Sequence, residues 1–297
     1  MGGVYIKGRI IKGIGGFYYV RDDAGKIYEC RAKGIFRNEG VRPIPGDFVR
    51  FTAPTETAGG SIDEILPRKN ELPRPLVANI DLLLVVVSAK KPKPDFMLVD
   101  KLLIYAMYYG IAAAIGMNKM DQAADETESL LIDYAKSGAT LLYFSAEEKT
   151  GLSEVEALLQ NKTTCLAGQS AVGKSSLLNA LEPSLLLETG GLTRKTGRGR
   201  HTTRHSEFIL LEKMNVMVVD TPGFSILEAI DIEPEELRDY YPEFAEATCR
   251  FDMCTHDKEP ECGVKNLVEA GEIPLPRYER YIKILHELIE RRDTKYA

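Results

Sequence analysis

Several short groups of residues in this 297-residue chain have types and spacings that do chemistry. Gly168-Gln169-Ser170-Ala171-Val172-Gly173-Lys174-Ser175-Ser176 contains the pattern G-x-x-x-x-G-K-S. In such a loop the glycines let the backbone bend until its N–H groups converge on phosphate oxygens at a helix N-terminus. Lys174 then adds a point charge at the β- and γ-phosphates, and Ser175 offers a hydroxyl to Mg2+. Asn118-Lys119-Met120-Asp121 reads N-K-x-D. A carboxylate at Asp121 accepts two hydrogen bonds, which suits the ring N–H and exocyclic amine of guanine and finds no such pair on adenine. Asn118 fixes that loop, and the Lys119 stem can lie along the purine face. Ser145-Ala146-Glu147 offers a backbone N–H near Ala146 to the guanine carbonyl, a weak signal in isolation. Asp220-Thr221-Pro222-Gly223 supplies Asp220 for Mg2+, through water or Ser175, and the Gly223 N–H for the γ-phosphate.

Between the phosphate loop and D-T-P-G runs a basic, glycine-rich segment, 190–205, with Arg194, Lys195, Arg198, Arg200 and Arg204 around the pair Thr202-Thr203. It fits a switch ordered by Mg2+ and γ-phosphate, with one threonine, preferentially Thr203, as the Mg2+ ligand. After D-T-P-G many GTPases place a glutamine that orients the attacking water. Here Phe224 stands there and cannot hydrogen-bond, so intrinsic turnover is expected to be slow. His201 is the candidate substitute, since a neutral imidazole can orient water; the alternative is a switch histidine touching RNA or nothing. The last group is Cys249-x4-Cys254-x-His256-x5-Cys262. Four soft or borderline donors favour one tetrahedral Zn2+, and with no fifth strong donor nearby the site reads as closed and structural. Cys30 and Cys165 sit alone in strand-like runs and read as small core residues.

These groups need elements to position them. An apolar strand, Thr163–Ala167, precedes the phosphate loop, and a helix-like run follows from Ser176. Across 76–224, strands over 81–88, 111–117, 140–144, 163–167, 207–211 and 216–219 alternate with helices over 96–109, 123–137 and 152–160, which predicts a mostly parallel sheet with ligands at strand C-terminal ends. Residues 1–66 read as short strands of a small closed barrel of the oligonucleotide-binding (OB) type. Tyr18 and Tyr19 either stack on bases or fill its core. A proline-punctuated, charged stretch, 67–75, reads as a linker. Residues 225–297 read as a mostly helical module around the Cys/His cluster, with an acidic helix-like stretch over 228–246 and a helix over 276–292 bearing Ile282, Leu285 and Ile289 on one face. The base-reading elements precede the phosphate loop, the reverse of the Ras-like order, which a circular permutation explains.

Composition bounds the rest. The chain is 44% hydrophobic and 28% charged with a formal net charge of −6, as for a soluble globular protein without a general basic coat. The first sixty residues hold ten Lys and Arg against six Asp and Glu, a local excess of positive charge. That excess suits an anionic partner, although an ordinary solvated face reads equally well. No secretory leader is legible after Met1, and the apolar run 82–87 is too short to span a bilayer, so a cytoplasmic protein with no membrane contact is expected.

Together these residues resemble the ribosome small-subunit-dependent GTPase A (RsgA) family over nearly the whole chain. The matches are Asn118-Lys119-Met120-Asp121, the phosphate loop from Gly168 to Ser175, Gly199-Arg200-His201-Thr202-Thr203, Asp220-Thr221-Pro222-Gly223-Phe224 and the Cys249/Cys254/His256/Cys262 spacing. One departure is Ala171, where glycine is expected. The resemblance implies an OB-type barrel, a circularly permuted P-loop GTPase domain and a zinc module. It also implies a cytoplasmic, monomeric factor that binds GTP and GDP and acts late in assembly of the 30S subunit. Such a factor binds 16S rRNA and hydrolyses GTP faster on the small subunit. The alternative from another class is a nucleotide-gated RNA-binding protein with incidental hydrolysis.

Overall fold

The computed structural model describes residues 5–38, 40–123, 127–187, 207–220 and 230–295. The chain divides into two compact units, one comprising Met1–Leu82, Leu158–Leu166 and Thr193–Pro222, the other Leu83–Ala157, Ala167–Leu192 and Gly223–Ala297.

In the first unit β1 (Ile6–Ile14), β2 (Phe17–Asp22), β3 (Ile27–Ala32), β4 (Phe48–Thr52) and β5 (Gly60–Ile65) close a barrel in the order β1-β2-β3-β5-β4, with a short helix α1 (Ile35–Asn38) after β3. All pairs are antiparallel except β3 with β5. Period-two alternation sends Ile10, Val20, Cys30, Val49, Phe51 and Ile62 inward, where they form the barrel core. Tyr18 packs against that core, whereas the Tyr19 hydroxyl donates to Glu29 at the surface, so the two aromatics have different fates.

The stretch 67–75 is not a loose tether. Arg68 forks onto Asp47, which is fully buried, with Nε to Oδ1 at 2.7 Å and Nη2 to Oδ2 at 2.8 Å. Leu72 is buried in β6 (Glu71–Pro73), which pairs with β7 (Leu76–Ala78). A bidentate Arg–carboxylate pair with a buried acceptor fixes geometry more firmly than an exposed pair does. In the same unit β11 (Thr163–Ala167) runs parallel to β13 (Val216–Asp220), which pairs antiparallel with β12 (Ile209–Leu211). Arg9 reaches from the barrel to Thr163 Oγ1 at 2.5 Å and to the Asn79 carbonyl at 2.8 Å.

In the second unit β8 (Leu82–Ser88), β9 (Ala112–Asn118) and β10 (Thr140–Tyr143) lie in the order β10-β9-β8, with β10 parallel to β9. All seven β8 residues are buried, as expected of an apolar run in a sheet covered on both faces. The helices are α2 (Phe96–Tyr108), α3 (Leu152–Leu159), α4 (Lys174–Leu181), α5 (Gly263–Glu269) and α6 (Leu275–Lys295).

Three helical expectations change. Within 123–137 the described chain forms a 3-10 run over Thr127–Tyr134; Leu131 and Tyr134, three apart, are both buried, and i,i+3 alignment on one side is the 3-10 geometry. Among the described residues of 228–246 there are two 3-10 runs, Pro234–Tyr240 and Pro242–Phe244, each opened by a proline, and Pro242, which has no N–H to donate, keeps the first run from continuing. On α6 the buried stripe is Arg277, Tyr281, Ile284, Leu285 and Leu288, displaced from the expected Ile282 and Ile289. Charge explains the displacement. Asp100 on α2 faces Arg277 at 2.6 Å and Arg280 at 2.8 Å, Tyr134 donates to it at 2.5 Å, and Arg277 also meets Glu243 at 2.6 Å. Burying these ions demands mutual pairing, so the pairs set the rotation of α6.

Candidate functional site

The phosphate loop leaves β11 and enters α4. At Gly168 the backbone has φ +134°, and an added methyl would sit 2.1 Å from the Val86 carbonyl oxygen; Gly173 caps α4 at φ +100°, with an added methyl 2.2 Å from Asn118 Nδ2. Both positions therefore require glycine on two counts, conformation and space. Lys174 Nζ curls back to donate to the carbonyls of Gly168 at 2.8 Å and Gln169 at 3.0 Å. Ser175 is buried in the first turn of α4. Ala171 adopts φ +62°, a left-handed conformation that explains why glycine suits this place.

Asn118, at the end of β9, ties three loops together. Its Nδ2 donates to the Val172 carbonyl in the phosphate loop at 2.9 Å, and its Oδ1 accepts from Lys119 N–H at 2.7 Å and Ala146 N–H at 3.0 Å. Lys119, at φ +64°, donates from Nζ to the carbonyls of Ala171 at 2.8 Å and Lys91 at 2.5 Å. Asp121 is exposed, and Ser145 donates its hydroxyl hydrogen to Asp121 Oδ1. The carboxylate thus keeps acceptor capacity at an open edge. Two supports of this site escaped the motif reading. Gln169 Oε1 accepts from the Asp95 N–H at 3.2 Å, and the Lys91 carbonyl joins the Lys119 contact. Nothing in the spacing of Asp95 or Lys91 announces either partner, because both are tertiary contacts of ordinary loop residues.

Asp220 closes β13 in the first unit. Ser170 and Ser176 lie in the phosphate loop and the first turn of α4. Of the other sequence-derived positions, His201, Thr203 and Gly223 lie outside the described residues, as do Thr202 and Phe224.

The four ligand candidates near the C-terminus converge. The donor atoms of Cys249, Cys254, His256 and Cys262 all lie within 4.8 Å of one another. Cys249 Sγ is 3.9 Å from Cys262 Sγ and 3.5 Å from His256 Nδ1, which is 3.3 Å from Cys262 Sγ. Bonds of about 2.0–2.3 Å in a tetrahedron give ligand–ligand edges of roughly 3.5–3.8 Å, so the donor set fits Zn2+ in both chemistry and size. Burial holds the His256 pKa down at about 4, which keeps the imidazole neutral, and pushes the Cys254 thiol up to about 12. Burial also raises Cys249, but hydrogen bonds from the N–H groups of Val264 and Gly263 at the start of α5, together with those of Cys254 and Cys262, outweigh it and leave that thiol below its ordinary value. The loop between the ligands is held by Glu259, which accepts from Thr255 N–H at 2.6 Å, Thr255 Oγ1 at 2.8 Å and Asp257 N–H at 3.1 Å. Tyr278 and Tyr281 on α6 donate to the carbonyls of His256 and Thr255.

Among the described residues no helix is long and apolar enough to cross a membrane. The family model described as RsgA GTPase matches residues 65–230, and that described as RsgA N-terminal domain matches residues 7–61. The chain is 45% identical over 285 residues to the protein named small ribosomal subunit biogenesis GTPase RsgA of Ruminiclostridium cellulolyticum, covering 95% of this chain and 93% of that one. It is 44% identical over 292 residues to the protein of the same name of Geobacillus sp. (strain WCH70), covering 96% and 98%. The crystal structure of YjeQ from Thermotoga maritima aligns with a TM-score of 0.83 at 36% identity, covering 96% of this chain and 99% of that one. That of YloQ, described as a circularly permuted GTPase, aligns at 0.78 with 37% identity, covering 97% and 96%.

Proposed function

Since the chain belongs to the RsgA GTPase family, we propose that it is a GTP hydrolase acting in late maturation of the 30S ribosomal subunit, where it binds 16S rRNA and is stimulated by the particle. The observation that carries this reading is the Asn118 side chain, which hydrogen-bonds the phosphate loop and the Ser145-Ala146 loop at once. A ligand that needs both loops has a base at one end and phosphates at the other.

In this reading Asp121 accepts the two guanine donors, Lys119 lies along the ring, and Ser145 and Ala146 border the base edge. The N–H groups from Gly168 to Ser176 face the phosphates, joined by Lys174 and by the Gly223 N–H. Ser175, Thr203 and Asp220 are hard oxygen donors of the kind Mg2+ takes, and they would hold it; when bound, the ion supplies charge at the phosphates. His201 would orient the attacking water in place of the amide that Phe224 lacks. Cys249, Cys254, His256 and Cys262 would hold one structural Zn2+. By function we divide the chain into a barrel (1–66), a joining segment (67–75), a GTPase domain (76–224) and a zinc module (225–297), acting in the cytoplasm as a monomer.

Single-turnover GTP hydrolysis, measured with and without purified small subunits, tests the reading. Slow turnover alone and strong acceleration by the subunit are expected, with His201→Ala losing about 10²-fold of the stimulated rate at unchanged nucleotide affinity. Equal subunit affinity of the GTP-analogue and GDP forms, with no acceleration, would favour an RNA-binding protein with incidental hydrolysis.

A further inference from the structure

The segment between β8 and α2, Ala89-Lys90-Lys91-Pro92-Lys93-Pro94-Asp95, belongs to none of the motifs above. Lys90, Lys91 and Lys93 are all exposed, and among the described residues no carboxylate pairs with any of the three ammonium groups. Three like charges within four positions repel one another, and this chain carries a net charge of −6 from which partners are readily drawn. The acid nearest in sequence, Asp95, is engaged elsewhere, since its Oδ1 accepts from the Leu98 N–H at 3.0 Å as the cap of α2.

The backbone beneath these side chains is held. Ser88 Oγ and Lys119 Nζ both donate to the Lys91 carbonyl, at 2.8 and 2.5 Å, and the Ala89 N–H donates to the Asn118 carbonyl at 2.8 Å. At the far end the Asp95 N–H donates to Gln169 Oε1 of the phosphate loop at 3.2 Å. Pro92 and Pro94 restrict φ in between. The loop therefore presents three ammonium groups from a backbone fastened at one end to the N-K-x-D loop and at the other to the phosphate loop.

We infer that Lys90, Lys91 and Lys93 form a docking surface for the phosphodiester backbone of RNA, and that its attachment to Lys119 and Gln169 couples RNA contact to guanine-nucleotide occupancy. Lysine, a compact point charge on a flexible stem, suits phosphates without reading sequence. An acidic protein partner would also need an apolar centre, and no large exposed hydrophobic side chain lies within the segment. The inference rests on the proposed function only in its choice of RNA as the anion.

The test compares the full-length protein with K90Q/K93Q, which spares Lys91, the residue whose carbonyl takes the Lys119 hydrogen bond. The probes are a 16S rRNA transcript and a polyglutamate of similar charge, titrated across salt with GTP analogue or GDP bound. The wild type should bind the transcript with a log–log salt slope about 1.5 units steeper than the variant, given about 0.7–0.9 for each of two phosphate contacts. The transcript should also change GTP-analogue affinity by about fivefold or more in the wild type and by less in the variant, while GTP affinity without RNA stays equal in both. An unchanged slope in the variant would overturn the docking surface, and so would preference for polyglutamate over the transcript. An altered slope without any nucleotide dependence would overturn the coupling. Because these arms use bare RNA, failure of the small subunit to stimulate hydrolysis would count against the proposed function and leave the docking surface standing.

Discussion

In the nucleotide loops one side chain, Asn118, engages three backbone groups, and Lys119 and Lys174 each bond two carbonyls. In the cluster from 249 to 262, four side chains instead point their donors at a common centre, with two sulfurs 3.9 Å apart and with Cys254 and Cys262 left by burial above their ordinary thiol values. Both regions lie in the second compact unit. The loops are stitched by hydrogen bonds that the protein supplies for itself. The cluster has the right shape but leaves its attraction to an ion, because thiols and an imidazole offer each other only weak hydrogen bonds. One region should tolerate loss of its ligand, and the other should not.

Chelation sharpens that comparison most. Structural zinc is worth about 10–16 kcal/mol in zinc-finger peptides, so removing it, or making Cys254→Ser, should melt the 249–262 segment and release about one equivalent of metal. Hydrogen exchange on the same sample should leave the loops around Asn118 protected and GTP affinity within a few-fold. Joint loss of nucleotide binding would show that the two regions are not built differently.

Asp121→Asn asks whether the exposed end of the pre-built loop reads the base. A site made to hydrogen-bond its ligand rejects a mismatched one by about 10⁴-fold, and the amide offers a donor where the carboxylate only accepts. Preference should move from GTP to XTP in competition binding, with little change in melting temperature. Retained GTP selectivity would remove Asp121 from the base-reading role.

Asn118→Ala attacks the stitching itself. Leaving buried backbone groups without partners costs about 1–3 kcal/mol each, so GTP affinity should fall by about 10²-fold while zinc content is unchanged. Near-normal affinity would mean that bound nucleotide, not Asn118, organises the loops.

The smallest effect belongs to Ala171. A non-glycine residue in the left-handed region costs about 1 kcal/mol, partly offset by the lower unfolded-state entropy of alanine relative to glycine. Ala171→Gly should therefore change stability by about 0.5 kcal/mol or less, seen as a thermal shift of a few degrees at most, with phosphate-loop function intact. A large loss of GTP affinity would show that the methyl does more than occupy exposed space.

The sequence by itself determined the chemistry: which residues carry donors and acceptors, in what order along the chain, and which runs become strands. Asn118 to Asp121, Gly168 to Ser175 and the four ligands from Cys249 to Cys262 are legible because each is local, so a few positions contain the chemical requirement. The strand at Thr163–Ala167 matches its expected bounds for the same reason, since an apolar run leading straight into the phosphate loop is a local signal. Tertiary structure decided what depends on groups far apart in the chain. The face of α6 follows from Asp100 meeting Arg277, and the packing of 67–75 from Arg68 finding Asp47. The reach of Lys119 to Lys91 follows from loops that meet only once the sheet is made. A buried charge has no preferred partner in sequence; it takes whichever opposite charge the fold delivers, because leaving it unpaired costs more than rotating a helix.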